Sequence, residues 1–226
     1  LVATTALNVA TSAQQLGDWG SALRGYARAR RLAKALARTR TERTAVINLA
    51  NLRCAIGQAS HARAVLSLAA TLPAEPAATV TECLVESEIL RLEGRLPEAQ
   101  EKASEAAHRA GAEFPREHIE ARVLAWELAG HVGPEGAGPS DLAALESDAR
   151  ALEAHDLAVR TLLAGAAQGL GTREALVAAE RARAEAEAVG EMGLMVRAAR
   201  ACARAADAVG APALHAAFKA DAERME

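Results

Sequence analysis

GDWGSALRGYARA, residues Gly17 to Ala29, decides the fold, because it returns in looser form as GQASHARAVLSLA at Gly57 to Ala69 and as GRLPEAQEKASEA at Gly94 to Ala106. Each copy opens on a glycine, places an alanine five residues on (Ala22, Ala62, Ala99) and another twelve on (Ala29, Ala69, Ala106). The glycines are 40 and 37 residues apart, and a fixed period of that size marks an array of supersecondary units. A fainter copy, GTREALVAAERARAEA, supplies Ala175 and Ala182 at the same interval, with Gly169 and Gly171 flanking the glycine slot.

Working outward, the unit is a pair of helices. Apolar residues make up 51% of the chain, yet only Trp19, Tyr26, Phe114, Trp126 and Phe218 are aromatic. Alanine is the best helix former and lets helices approach closely, whereas strands favour the β-branched and aromatic residues that are scarce here. Ala22, Tyr26, Ala29, Ala33 and Leu36 fall on one stripe at helical spacing, with Arg24, Arg28, Arg31 and Arg38 opposite. Glycine, proline and period place hairpins near 3–39, 42–72, 77–110, 115–154, 156–189 and 191–225. Pro97 and Pro212 suit first helical turns, Gly111 and Gly210 suit helix ends, and Pro73 and Pro76 mark a gap between hairpins. GHVGPEGAGPS, Gly130 to Ser140, reads as an exposed loop.

The glycine and small-residue spacing resembles the tetratricopeptide repeat family, with Tyr26 where that family prefers a large aromatic and with steps longer than its usual ~34 residues. The resemblance implies an all-α, right-handed α-α superhelix of about six hairpins. The chain is expected to form one domain over 1–226, which the Gly/Pro-rich loop can divide into sub-stacks 1–130 and 139–226. Its first residue is Leu1, and LVATTALNVATSAQQLG reads as a helix already under way, so the chain is expected to be a segment of a larger protein.

Catalytic signatures are missing from the sequence. No GxxxxGK[ST] loop is present to cradle phosphate. His61, His108, His118, His131, His155 and His215 are dispersed, without the two histidines one turn apart that a zinc protease needs. Cys54, Cys83 and Cys202 are odd in number and lack ligand spacing, so buried thiols are expected rather than a disulfide framework. No cofactor and no metal are expected, and the chain reads as a non-enzyme. No apolar run approaches the ~20 residues that span a bilayer, and the N-terminus lacks the sections of a signal peptide; a cytoplasmic location without membrane contact is expected.

Charge is uneven. Residues 1–74 hold ten basic and two acidic side chains, a net +8, and residues 75–226 hold sixteen basic and twenty-seven acidic, a net −11. Arg24, Arg28, Arg31 and Arg38 lie in the basic run of hairpin one and offer a face to an acidic partner or a flanking domain of the same polypeptide; the competing reading is a solvated helix surface. Nucleic acid is disfavoured, because the adjoining acidic stretches repel phosphate. Within helix three residues apart or four, Glu180 with Arg183, Arg181 with Glu185 and Arg183 with Glu187 read as surface pairs.

In the tetratricopeptide family the first helix of each hairpin lines the groove, and the resemblance puts Asn8 and Asn48, each nine residues before its glycine, on that surface. An asparagine there can meet a peptide backbone with both donor and acceptor, and Asn51, Gln14 and Gln15 add polar groups. Val85 and Thr161 stand at the matching positions of later repeats. The competing reading is a buried or capping asparagine. The function expected is a protein-interaction scaffold or sensor domain of a larger signalling protein, binding a protein or peptide through the groove or the basic face. A regulatory domain whose curvature answers to a small peptide or metabolite is the alternative.

Overall fold

The computed structural model describes residues 1–129, 139–169 and 171–225, and among them every regular element is helical. In chain order these are α1 (Val2–Gln15), α2 (Trp19–Ala35), α3 (Thr39–Ala55), α4 (Ala59–Leu66), α5 (Pro76–Leu92), α6 (Leu96–Ala110), α7 (Pro115–Ala129), α8 (Pro139–Ala151), α9 (His155–Gln168), α10 (Arg173–Val189), α11 (Met192–Ala208) and α12 (Pro212–Met225), with a 3-10 turn at Ala69–Thr71. The protein is all-α. Hairpin limits match the expected ones to within a few residues. The largest difference is in the second hairpin, where α4 stops at Leu66 and the 3-10 turn carries Ala69 into the core. Beyond it Leu72 is extended (φ −110, ψ 151), as the residue before a proline tends to be. The expected loop at Gly130–Ser140 lies outside the described residues up to 138.

The repeated glycine has a backbone reason. Gly17, Gly57 and Gly94 sit at φ +77, +74 and +77, where a Cβ is costly. In each case the next amide reaches back to close the first helix: Asp18 N–H donates to Ala13 O, Gln58 to Arg53 O and Arg95 to Leu90 O, at 2.8–2.9 Å. Ala37 makes the same cap at φ 50 without being glycine.

The alanine spacing is the packing stripe of the second helices. Ala22, Tyr26, Ala29 and Ala33 on α2, Ala99, Ala103, Ala106 and Ala110 on α6, and Ala175, Ala179, Ala182 and Ala186 on α10 share one set of offsets, and all are buried. Leu36, expected on this stripe, is 54% exposed because α2 ends at Ala35 and Leu36 is its cap.

The chain divides into two compact units, Leu1–Ala121 and Arg122–Glu226. In the first, α1 packs on α2 and α3, and α3 on α4 and α5, so each first helix meets its own partner and the next first helix. Ile47, Ala50, Cys54, Val85 and Ile89 form one core cluster. Gly25 lets α2 close on α1, since a Cβ there would lie 2.7 Å from the Ala10 Cβ. Arg43, 6% exposed at its side chain, grips Glu82 with Nε and Nη2 at 2.7 Å each and donates through Nη1 to Leu72 O at 2.5 Å. Buried Ser87 donates to Ala99 O at 2.7 Å, fastening α5 to α6.

The second unit repeats the plan. Helix α9 packs on α10 and α11, and α11 on α12, around a core of Leu162, Leu163, Leu194, Cys202, Phe218 and the α10 alanines. Its surface charges differ from the sequence reading in two of the three expected pairs, since Arg183 meets Glu187 and Asp221 rather than Glu180. Arg183 and Glu187 pair at 3.0 Å as expected, but Arg181 crosses to Glu146 on α8 at 2.6 Å, and Glu185 is taken by Arg150 of α8. Stacking of neighbouring second helices supplies closer partners than the helix itself.

Candidate docking face on the first helices

In the first unit the polar side chains of α1 and α3 separate into two groups. Tyr26 Oη donates to Gln14 Oε1 at 2.9 Å and lies 3.3 Å from the Thr11 hydroxyl, so Thr11 and Gln14 are engaged. Asn8, Gln15 and Asn51 are exposed and Asn48 is half-buried, and none of the four side chains has a hydrogen-bond partner among the described residues. Asn8 and Asn48 lie within α1 and α3 rather than at their caps, which removes the capping reading. The row is two residues long. Val85 is buried in the core against Ile47 and Ile89, and buried Thr161 donates to Leu157 O of its own helix at 2.8 Å.

Arg24, Arg28, Arg31 and Arg38 are exposed on α2 or just beyond it, opposite the alanine stripe. Arg24 donates to the Ser21 hydroxyl at 3.1 Å and its charge acts on Asp18; Arg28, Arg31 and Arg38 have no ion pair among the described residues. The one arginine of this run that faces a neighbouring carboxylate on α3 is Arg30, 3.9 Å from Glu42.

The second unit carries a site that sequence reasoning missed. A recess of about 300 Å³ opens on the face of its first helices, lined by Trp126 and Glu127 of α7, Leu163, Ala164 and Ala167 of α9, and Arg197, Arg200 and Arg204 of α11. The three arginines share one side of α11 because Ala198, Ala201, Cys202 and Ala205 occupy the other and are buried. Glu127, 17% exposed at its side chain, is the fixed point. It accepts from Arg160 Nη2 at 2.9 Å and from Arg197 Nη2 at 2.8 Å. Burial alone would raise its pKa, but the charges and hydrogen bonds of Arg160 and Arg197 outweigh it and hold the carboxyl down at about 2. The signal in the sequence is the spacing of Arg197, Arg200 and Arg204, three and four apart on a helix. The net acidity of the surrounding chain masks it.

Nucleophilic chemistry has little support at the cysteines. All three are buried, and burial pushes Cys54 up to about 12 and Cys202 up to about 11, far from the depressed values of reactive thiols. Among the described residues no cluster of His, Cys, Asp or Glu could hold a metal ion, and no helix is long and apolar enough to cross a membrane.

No family model and no curated protein matches this chain. Among solved structures it is similar to the crystal structure of BtubC (BKLC) from P. vanneervenii, with a TM-score of 0.57 and 15% identity over 94% of this chain and 89% of that one. At that identity the likeness speaks for the all-helical fold alone.

Proposed function

We propose that this protein is a protein-interaction module that docks an extended segment of a partner on the face built by its first helices. The observation that carries the reading is the set Asn8, Gln15, Asn48 and Asn51, amides on α1 and α3 that are open to solvent in whole or part and have no hydrogen-bond partner among the described residues, while Thr11 and Gln14 on α1 are engaged. Side-chain amides offer donor and acceptor together, the pair that an extended backbone presents. The spacing that resembles tetratricopeptide repeats supports the same reading.

A second docking surface is favoured by Arg28, Arg31 and Arg38, exposed and without an ion pair among the described residues. An acidic partner or flanking domain suits it.

Selection from a displayed library of random peptides tests the proposal. Enriched peptides that bind the native chain and lose binding to an Asn8→Ala, Asn48→Ala, Asn51→Ala variant, or to a variant of the α11 arginines, support docking on the first helices. Loss only on Arg24→Glu, Arg28→Glu, Arg31→Glu, Arg38→Glu moves the function to the outer face, and no enrichment at all contradicts the module.

A further inference from the structure

We infer that the exposed face of α2 docks an acidic helix, one whose carboxylates stand three and four residues apart and meet Arg28, Arg31 and Lys34. The inference rests on the second docking surface proposed above and names its partner.

The row is open and its charge is unspent. Arg28, Arg31 and Lys34 are exposed on the side of α2 turned from the buried Ala22, Tyr26, Ala29 and Ala33, and none of the three has an ion pair among the described residues. Second helices elsewhere do the opposite: Arg63 on α4, Lys102 and Arg109 on α6, Arg150 on α8 and Arg181 on α10 all reach carboxylates. The elements packed against α2 supply no anion for the row. They are α1 and α3; α1 has no charged residue, and the one acid of α3, Glu42, is buried and faces Arg30 at 3.9 Å. Asp18, the cap of α2, holds the Ser21 amide and feels Arg24. Like charges three apart on a helix repel and weaken it, so the row opposes folding, and a partner that brings anions relieves it.

Spacing and surroundings choose the partner. Side chains three apart form a ridge on a helix, and two helices meet by setting the ridges of one into the grooves of the other. Acids three and four apart on a second α-helix repeat at the pitch of the row, about 5–6 Å, whereas same-face side chains of a strand are about 6.6 Å apart and drift out of step. Half-buried Ala27 and exposed Ala35 flank the row, so no bulky side chain at those two positions keeps a helix away. Cations on one helix facing anions on its neighbour set partner choice where helices associate. Nucleic acid fits less well. Residues 75–121 of the same unit carry five basic and eleven acidic side chains, a net −6, which repels a polyphosphate running past α2, whereas a short acidic helix meets the cations alone. Tyr26, the aromatic within these turns, is buried and gives a base nothing to stack on.

The probe is a dye-labelled, end-blocked, alanine-rich peptide of about 20 residues, long enough to hold a helix, with glutamates three and four apart along one face. Its binding is followed by fluorescence anisotropy at low salt, beside an isomer with the same glutamates spread around the helix and a counterpart with glutamine in their place. Saturable binding that falls with added salt is expected, weaker for the isomer and absent for the glutamine peptide. Arg28→Glu, Arg31→Glu, Lys34→Glu should abolish it. The variant Arg28→Ala, Arg31→Ala, Lys34→Ala guards against misfolding: it should bind about tenfold or more weakly yet melt no lower than the native chain by circular dichroism, because it removes the repulsion and adds good helix formers. Equal binding of the isomer or the glutamine peptide, indifference to the alanine variant, or no binding at about 1 mM peptide overturns the assignment. Tighter binding of a single-stranded oligonucleotide of equal charge, or of phosphatidylglycerol vesicles, overturns it too. Loss on Asn8→Ala, Asn48→Ala, Asn51→Ala instead moves the acidic helix to the first helices, so that this assignment fails and the docking function stands. Binding that persists in that variant, with no library ligand for the first helices, leaves the α2 surface standing without them.

Discussion

The two units build the same hairpin and place their charge on opposite sides of it. The first unit exposes its arginines on α2, a second helix, and leaves amides on its first helices. The second unit aligns arginines on α11, a first helix, and ties its second helices α8 and α10 together with Glu146, Arg150, Arg181 and Glu185. An alanine stripe packs one side of α2, α6 and α10, and the charged residues of these helices stand off that stripe.

Each unit also holds a largely buried carboxylate gripped by arginine, Glu82 by Arg43 and Glu127 by Arg160, and the largest effects should come from breaking these. Arg43→Ala strands Glu82 and frees Leu72 O in the first unit; a loss of about 3–4 kcal/mol is expected. Urea unfolding followed at Trp19 should report it, with Trp126 little changed. Glu127→Gln does the converse, costing the second unit about 3 kcal/mol, the equivalent of the displacement of its pKa from 4.5 to about 2. The pH sign follows. Because the folded value is depressed, this stability is fully present above about pH 4.5 and is lost as pH falls toward 2. The Trp126 transition should therefore weaken over that window in the native chain and flatten in Glu127→Gln. If both tryptophans respond alike to both variants, the units are not separate in stability.

A pair of identical substitutions sharpens the contrast with smaller effects. Gly25→Ala drives a Cβ to 2.7 Å from Ala10 and 3.2 Å from its Cα, so a loss of about 1–3 kcal/mol is expected. Gly165→Ala in α9 meets only Leu142 Cδ1, at 3.8 Å, and should stabilise the second unit by about 0.5–1 kcal/mol through helix propensity. Smallest of all, Ala37→Gly relieves a left-handed alanine and should gain at most about 1 kcal/mol, since greater freedom of the unfolded chain opposes the gain. Thermal unfolding of the three variants checks the signs.

Much of the fold was legible because the repeat is written in residues that packing restricts. Glycine at a left-handed cap and alanine at offsets five and twelve leave few alternatives, and hairpin limits follow from them. Leu36 was misplaced because periodicity continues past a helix end that only the cap at Ala37 defines. Asn8 and Asn48 were located by their distance from the glycine, and their exposure follows from helical phase. The recess on α11 was missed because its residues come from three helices far apart in sequence, and because a charge sum over residues 75–226 averages away a local stripe. Glu127 was illegible for the same reason: its partners Arg160 and Arg197 are 33 and 70 residues away.

Photo-cross-linking with a library-selected peptide that carries a benzophenone in its core tests the central claim most directly. The account predicts adducts on the first helices, at α1 and α3 or at α7, α9 and α11. Adducts confined to α2, α4, α6, α8, α10 and α12 would contradict it.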